Sequence, residues 1–180
     1  VGDLGSIDFE YIENEIENYL ATRTEDDSFV SYIPTVLDEN TDVDADTLAL
    51  VKENQGGKTR NLPLNSNMKA FMALACKENG VRATVSSGGQ PAGKKGDPGR
   101  TGSNRHDEAY PGGGGMAADF LLYDQTSGKV IPITDNERWK NWTLSFKKFA
   151  LAKGFLPSAG AGPEYMGNTA HFDIAAGINP

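Results

Sequence analysis

Cysteine and histidine are nearly missing from this 180-residue sequence, which holds one of the first and two of the second. A single cysteine excludes an internal disulfide. Cys76 closes the apolar run Phe71-Met-Ala-Leu-Ala-Cys76, where it reads as a buried structural thiol. No apolar stretch approaches the roughly eighteen residues that a membrane-crossing helix needs, so no span is expected. The opening residues lack the charged, apolar and cleavage regions of a signal peptide, and none is expected. The glycine-rich stretches match neither a phosphate loop nor a dinucleotide fingerprint, and Pro111-Gly-Gly-Gly-Gly115 reads as a flexible insertion. The basic residues form no aromatic-interleaved stripe, which argues against nucleic acid as a partner.

Charge is present but unevenly spread. Residues 1–55 carry fifteen acids and two bases, whereas residues 56–180 carry ten acids and fifteen bases, for a total of −8. The spacing of Ile7, Tyr11, Ile12, Ile16, Tyr19 and Leu20 predicts an amphipathic helix, and Asp44 to Glu53 reads as a second, shorter one. Gln55-Gly-Gly-Lys58 is then a plausible boundary. Two regions are therefore expected: an acidic helical N-terminal appendage over 1–55, suited to packing or to attachment in an assembly, and a folded domain over 56–180.

That domain reads as α+β, a small antiparallel sheet with flanking helices. Ser66 caps a helix to Glu78, and Val81-Arg-Ala-Thr-Val85 alternates as a strand. A long Gly, Pro, Lys and Arg-rich loop covers 87–115, a length that usually signals function or disorder. Ala118–Tyr123 is a second strand, Gly128 lies in a hairpin turn before Val130-Ile-Pro-Ile133, and Glu137–Lys153 is a helix ended by Gly154. Trp139, Trp142, Phe146 and Phe149 on it are core residues. Ala170-His-Phe-Asp-Ile174 alternates again and makes a final strand.

Both histidines, His106 and His171, lie beside turn-rich segments and close to carboxylates rather than on a helix's apolar stripe. Arg105-His-Asp-Glu108, followed after a glycine-rich insert by Gly115-Met-Ala-Ala-Asp119, resembles the Ser-x-His-x-x-Gly-x-Ala-x-Asp motif of the LAS-type zinc metallopeptidases. That superfamily includes D-Ala-D-Ala carboxypeptidases, phage endolysins and the hedgehog amino-terminal domain. The runs Ser87-Gly-Gly-Gln90, Arg100-Thr-Gly-Ser103 and Gly160-Ala-Gly-Pro-Glu-Tyr-Met-Gly167 are similar to a phage-virion branch of it. The likeness covers roughly residues 60–175.

The resemblance implies a Zn2+ ion held by His106, Asp119 and His171, with peptidoglycan peptides as substrate. Zinc takes imidazole and carboxylate ligands in a tetrahedral set, and a catalytic site leaves one position to water. Bound to the metal, such a water has a pKa of roughly 7. Two departures stand out. The first histidine and the aspartate are thirteen residues apart instead of seven, with Ala109–Gly114 as an insertion. Asn168 stands where many members have a glutamate. Glu164 leads as the general base such a peptidase needs, with Asp173 second on the strand face of His171. Asp107 and Glu108 would orient the His106 ring. The family's arginine position is replaced by Ser86-Ser-Gly-Gly-Gln90, so Arg105 or Arg100 would supply charge to a developing oxyanion, and Gln90 a hydrogen bond. The expected role is phage-associated cell-wall degradation, in the virion or released to the bacterial wall, with the acidic region facing other virion proteins. The alternative is a virion structural or attachment protein that keeps the fold without turnover.

Overall fold

The computed structural model of the chain describes residues 43–101, 106–107, 114–155, 157–160 and 170–174. All belong to one compact unit, Thr35–Pro180. The helix expected over residues 7–22 and the remainder of the acidic appendage before residue 43 lie outside the described residues.

The described part is α+β. In chain order it comprises α1 (Ala45–Leu48), β1 (Val51–Glu53), α2 (Ser66–Glu78), β2 (Val81–Ser87), β3 (Ala117–Asp124), α3 (Asn136–Ala152), β4 (Ser158–Gly160) and β5 (Ala170–Asp173). The five strands form one sheet in the order β1-β2-β3-β5-β4. Three of the four pairings are antiparallel, but β1 runs parallel to β2. The sheet is therefore mixed rather than wholly antiparallel. The exception arises where a helix was expected to continue to Glu53. Asp44 caps a single turn, accepting from the Thr47 backbone N–H at 2.8 Å, and the chain then extends. Val51, a β-branched residue, is buried there beside Ala83. A parallel partner needs a long crossover, and α2 supplies it. Val51–Glu53, on the N-terminal side of Gln55-Gly-Gly-Lys58, is thus hydrogen-bonded into the same sheet as Asp119 and His171.

Helical spacing selects the core. On α2, Met68, Phe71, Met72, Ala75 and Cys76 are buried, the 3–4 residue repeat of one helix face. The helix begins one residue earlier than expected, with Asn65 accepting from the Asn67 N–H. On α3, Trp139, Trp142, Phe146 and Ala150 form the matching stripe, and Gly154 at φ 80° follows its end. Strand alternation does the rest. Phe120 and Phe172 point into the aromatic cluster, where Trp142 stacks on Phe146 and meets Phe172 edge-on at 4.9 Å between centroids. Their chain neighbours Asp119, His171 and Asp173 point to the other face. The Trp142 indole N–H donates to Cys76 Sγ at 3.4 Å, and burial pushes that thiol up to about 12 despite this bond. Cys76 is structural.

At the C-terminal end of β1, Glu53 ties down the segment that follows. Its carboxylate accepts from the Leu64 N–H at 2.7 Å, Lys69 Nζ at 3.0 Å and Gln55 Nε2 at 3.1 Å. Partial burial raises its pKa, but these bonds outweigh that and hold it below the usual glutamate range.

Two outcomes follow. Trp142→Ala should lower unfolding free energy by about 3–5 kcal/mol in urea titrations, because it empties a fully buried aromatic site. Glu53→Gln should cost about 1–2 kcal/mol at neutral pH. The wild-type carboxylate stabilises above the ordinary glutamate pKa and loses that contribution as pH falls through its depressed folded value, so the deficit should shrink in acid melts. A deficit independent of pH would show that charge at Glu53 is not what holds Leu64 and Lys69.

Candidate metal centre

Register alone brings two of the expected ligands together. Asp119 on β3 lies directly opposite His171 on β5, on the face away from the helices. His171 Nδ1 sits 2.7 Å from Asp119 Oδ1. The third group comes from outside the sheet. After Gln90 the chain forms a loop and returns so that Asp107 bridges to Gln90 in parallel, with the Gln90 N–H donating to the His106 carbonyl at 2.7 Å. This puts His106 beside the strand pair, 5.5 Å from His171 between ring centroids and 4.0 Å from Asp119 Oδ1 through Nε2. One ligand atom from each of the three side chains lies within 4.8 Å of the other two, and all three residues are buried.

A tetrahedral zinc with bonds near 2.1 Å spaces its ligand atoms about 3.4 Å apart. The separations of 2.7 Å and 4.0 Å bracket that value. The donor chemistry agrees as well. His106 Nδ1 is 2.6 Å from the Gly88 carbonyl, which can only accept, so Nδ1 carries the proton. Nε2 is then a bare lone pair. It is the one buried side-chain nitrogen or oxygen without a hydrogen-bond partner among the described residues. Leaving such an atom unsatisfied costs about 1–3 kcal/mol, and a cation at this point would offset it. The residues present fit a metal ion.

Gly88 and Gly115 make this geometry possible. A Cβ at Gly88 would lie 2.6 Å from the Leu62 carbonyl oxygen, and one at Gly115 would lie 2.5 Å from the Pro63 oxygen. Gly115 also has φ 73°, in the left-handed region.

The two histidines titrate in opposite directions. Burial, followed by the Arg60 charge, lowers His106 to about 4. Burial also disfavours charge on His171, but the Asp119 and Asp173 hydrogen bonds overcome it and raise the ring to about 9. Asp119 is pushed up by burial yet held below its ordinary value, first by the His171 hydrogen bond and then by the neighbouring charges. Near pH 7.5 the metal-free site therefore holds neutral His106, ionised Asp119 and cationic His171.

The remaining candidates separate by what they touch. Asp173 Oδ2 lies 3.2 Å from His171 Nε2, on the ring edge opposite the one that faces Asp119. Asp107 is occupied with Arg100 in a buried ion pair, and Arg100 Nε also donates to the Pro91 carbonyl at 3.0 Å. Gln90 is fully buried, and its Oε1 accepts from the Thr101 N–H at 3.1 Å. Arg105, Glu108, Glu164 and Asn168 lie outside the described residues.

Arg60 was not anticipated from the sequence. Its guanidinium Nη1 lies 2.8 Å from Asp119 Oδ2, while Nε donates to Thr101 Oγ1 at 2.9 Å. It belongs to a stretch without periodicity, between a glycine pair and Pro63, where only the isolated cation itself could have drawn notice.

No protein-family model, curated protein or solved structure matches the chain.

Metal uptake should be visible as proton release. A metal at His171 Nδ1 would displace the proton shared with Asp119, whereas His106 has none to lose at Nε2. Calorimetric titration near pH 7.5 in buffers of different ionisation enthalpy should show about one proton released per ion bound. Heats that do not depend on the buffer would rule out this protonation pattern, and His106→Ala or His171→Ala should abolish the binding itself.

Proposed function

We propose that this chain is a zinc-dependent peptidase of the LAS type, with the D-Ala-D-Ala carboxypeptidase and hedgehog-like fold, that cleaves stem or cross-link peptides of peptidoglycan. The observation that supports it most is the convergence of His106, Asp119 and His171, the three positions that the motif likeness singles out, around a buried imidazole nitrogen with no partner. Sequence distance gives this weight. Sixty-four residues of chain lie between the two histidines, and nothing in local structure obliges them to meet.

In this reading His106 Nε2, an Asp119 oxygen and His171 Nδ1 would hold the ion. Zinc, when bound, would supply Lewis acidity toward a peptide carbonyl and toward water. The protein's own groups do the rest. The Gly88 carbonyl fixes the tautomer of His106. Asp173 accepts from His171 Nε2, which orients the ring and raises its basicity. A carboxylate engaged on that outer edge is poorly placed to take a proton from water on the inner one, so the general base falls to Glu164. Arg100 is committed to Asp107, which leaves Arg105 as the cation for the developing oxyanion. The acidic residues before Val43 would meet other virion proteins, and the enzyme would act from a phage particle or after release at the bacterial wall.

Release of free amino groups from purified peptidoglycan by the zinc-loaded protein tests this directly. His106→Ala should abolish release, and Glu164→Gln should slow it by about 10²–10⁴-fold while zinc still binds. Zinc binding without any cleavage across different wall chemotypes would instead assign the chain to a non-catalytic virion role.

A further inference from the structure

Among the described residues, Arg60 is the one non-glycine with a left-handed backbone, at φ 53°. Such a conformation is strained for a residue with a Cβ and persists only where surrounding bonds impose it. Here those bonds lead to the metal ligands. The Arg60 N–H donates to the Gly99 carbonyl at 2.9 Å, and its own carbonyl accepts from the Gly88 N–H at 2.8 Å. Gly88 in turn presents its carbonyl to His106 Nδ1 at 2.6 Å. The side chain of the same residue grips Asp119 Oδ2 and Thr101 Oγ1. With Oδ2 taken by Arg60, Oδ1 is the Asp119 oxygen turned toward both imidazoles, at 2.7 Å and 4.0 Å.

We propose that Arg60 is a positioning residue that sets two of the three metal ligands at once, Asp119 through its guanidinium and His106 through its backbone and Gly88. The assignment rests on the metal-site reading. It goes beyond it in naming a residue, outside the motif likeness, on which affinity for the ion depends. A guanidinium suits this work because its fixed fork can serve a carboxylate and a hydroxyl together, which a lysine ammonium cannot do with the same geometry.

Substitution separates the two halves. Arg60→Gly removes the guanidinium but leaves a residue at ease in the left-handed region, so the link to Gly88 survives. Arg60→Ala removes the side chain and also disfavours the backbone. Arg60→Lys keeps the charge and one donor. Zinc affinity, measured by competition with a chromophoric chelator on protein shown to be folded by circular dichroism, should fall about 10–100-fold in Arg60→Gly. It should fall further in Arg60→Ala and less in Arg60→Lys. The absorption bands of the cobalt-substituted protein should shift in all three, a change that general destabilisation does not produce. Unchanged affinity and spectrum in folded Arg60→Gly would overturn the proposal while leaving the metal site intact. Equal losses in the glycine and alanine variants would overturn its backbone half. Failure of the wild-type protein to bind zinc would overturn both the proposal and the reading beneath it.

Discussion

The pairing of Asp119 with His171 across β3 and β5 is the constraint on which the remaining geometry depends. In a sheet, a slip of one residue exchanges the two faces of a strand. Here it would bury the carboxylate or the imidazole among the α2 and α3 side chains and expose Phe120 or Phe172 in its place. The aromatic cluster therefore fixes the site indirectly. Trp142, Phe146, Phe120 and Phe172 are fully buried and linked by ring contacts that a shifted register would break. Core and candidate centre are two readings of the same alternation, one on each face.

His106 enjoys no such guarantee, because it comes from a loop. What replaces the strand is a set of polar ties, each short in reach: the Gln90 bridge to Asp107, the buried Arg100–Asp107 pair, and the bond from His106 to Gly88. Removing one partner of a buried ion pair is strongly destabilising, because the other charge is left behind without compensation. Replacing Asp107 would therefore leave the buried Arg100 guanidinium without its carboxylate.

Much of this was legible in the sequence because it is periodic. The cap at Ser66 and the Gly154 stop after Glu137–Lys153, with the alternation in Val81–Val85 and Ala170–Ile174, gave helices and strands within a residue or two of those observed. The expected trio His106, Asp119 and His171 is gathered as the motif likeness implied. What escaped was whatever tertiary pairing decides. Val51–Glu53 is too short for a period, and only the edge of β2 makes it a strand. β4 at Ser158–Gly160 lay at the start of a glycine-rich stretch that carries no strand signal. Arg60 acts from a distance of 59 residues along the chain, and no local pattern encodes that reach.

A cluster of buried charges need not imply a metal, since carboxylates and histidines also pair for structural reasons. Taken alone, the arrangement of Arg60, Asp119, His171 and Asp173 would satisfy that simpler description, because each acid and base has its complement. His106 does not belong to it. A purely structural histidine at this depth would use both ring nitrogens, yet one is bound to a carbonyl and the other faces Asp119 Oδ1 at 4.0 Å, beyond hydrogen-bond reach. Closing that gap by direct contact would require a proton on Nε2, and the low pKa of the ring denies it one near neutrality. A divalent cation would resolve the conflict without a proton on His106, since the Nε2 lone pair, Asp119 and the deprotonated Nδ1 of His171 could all serve as its ligands. The unpartnered nitrogen is thus the one feature of the cluster that ion pairing alone does not explain.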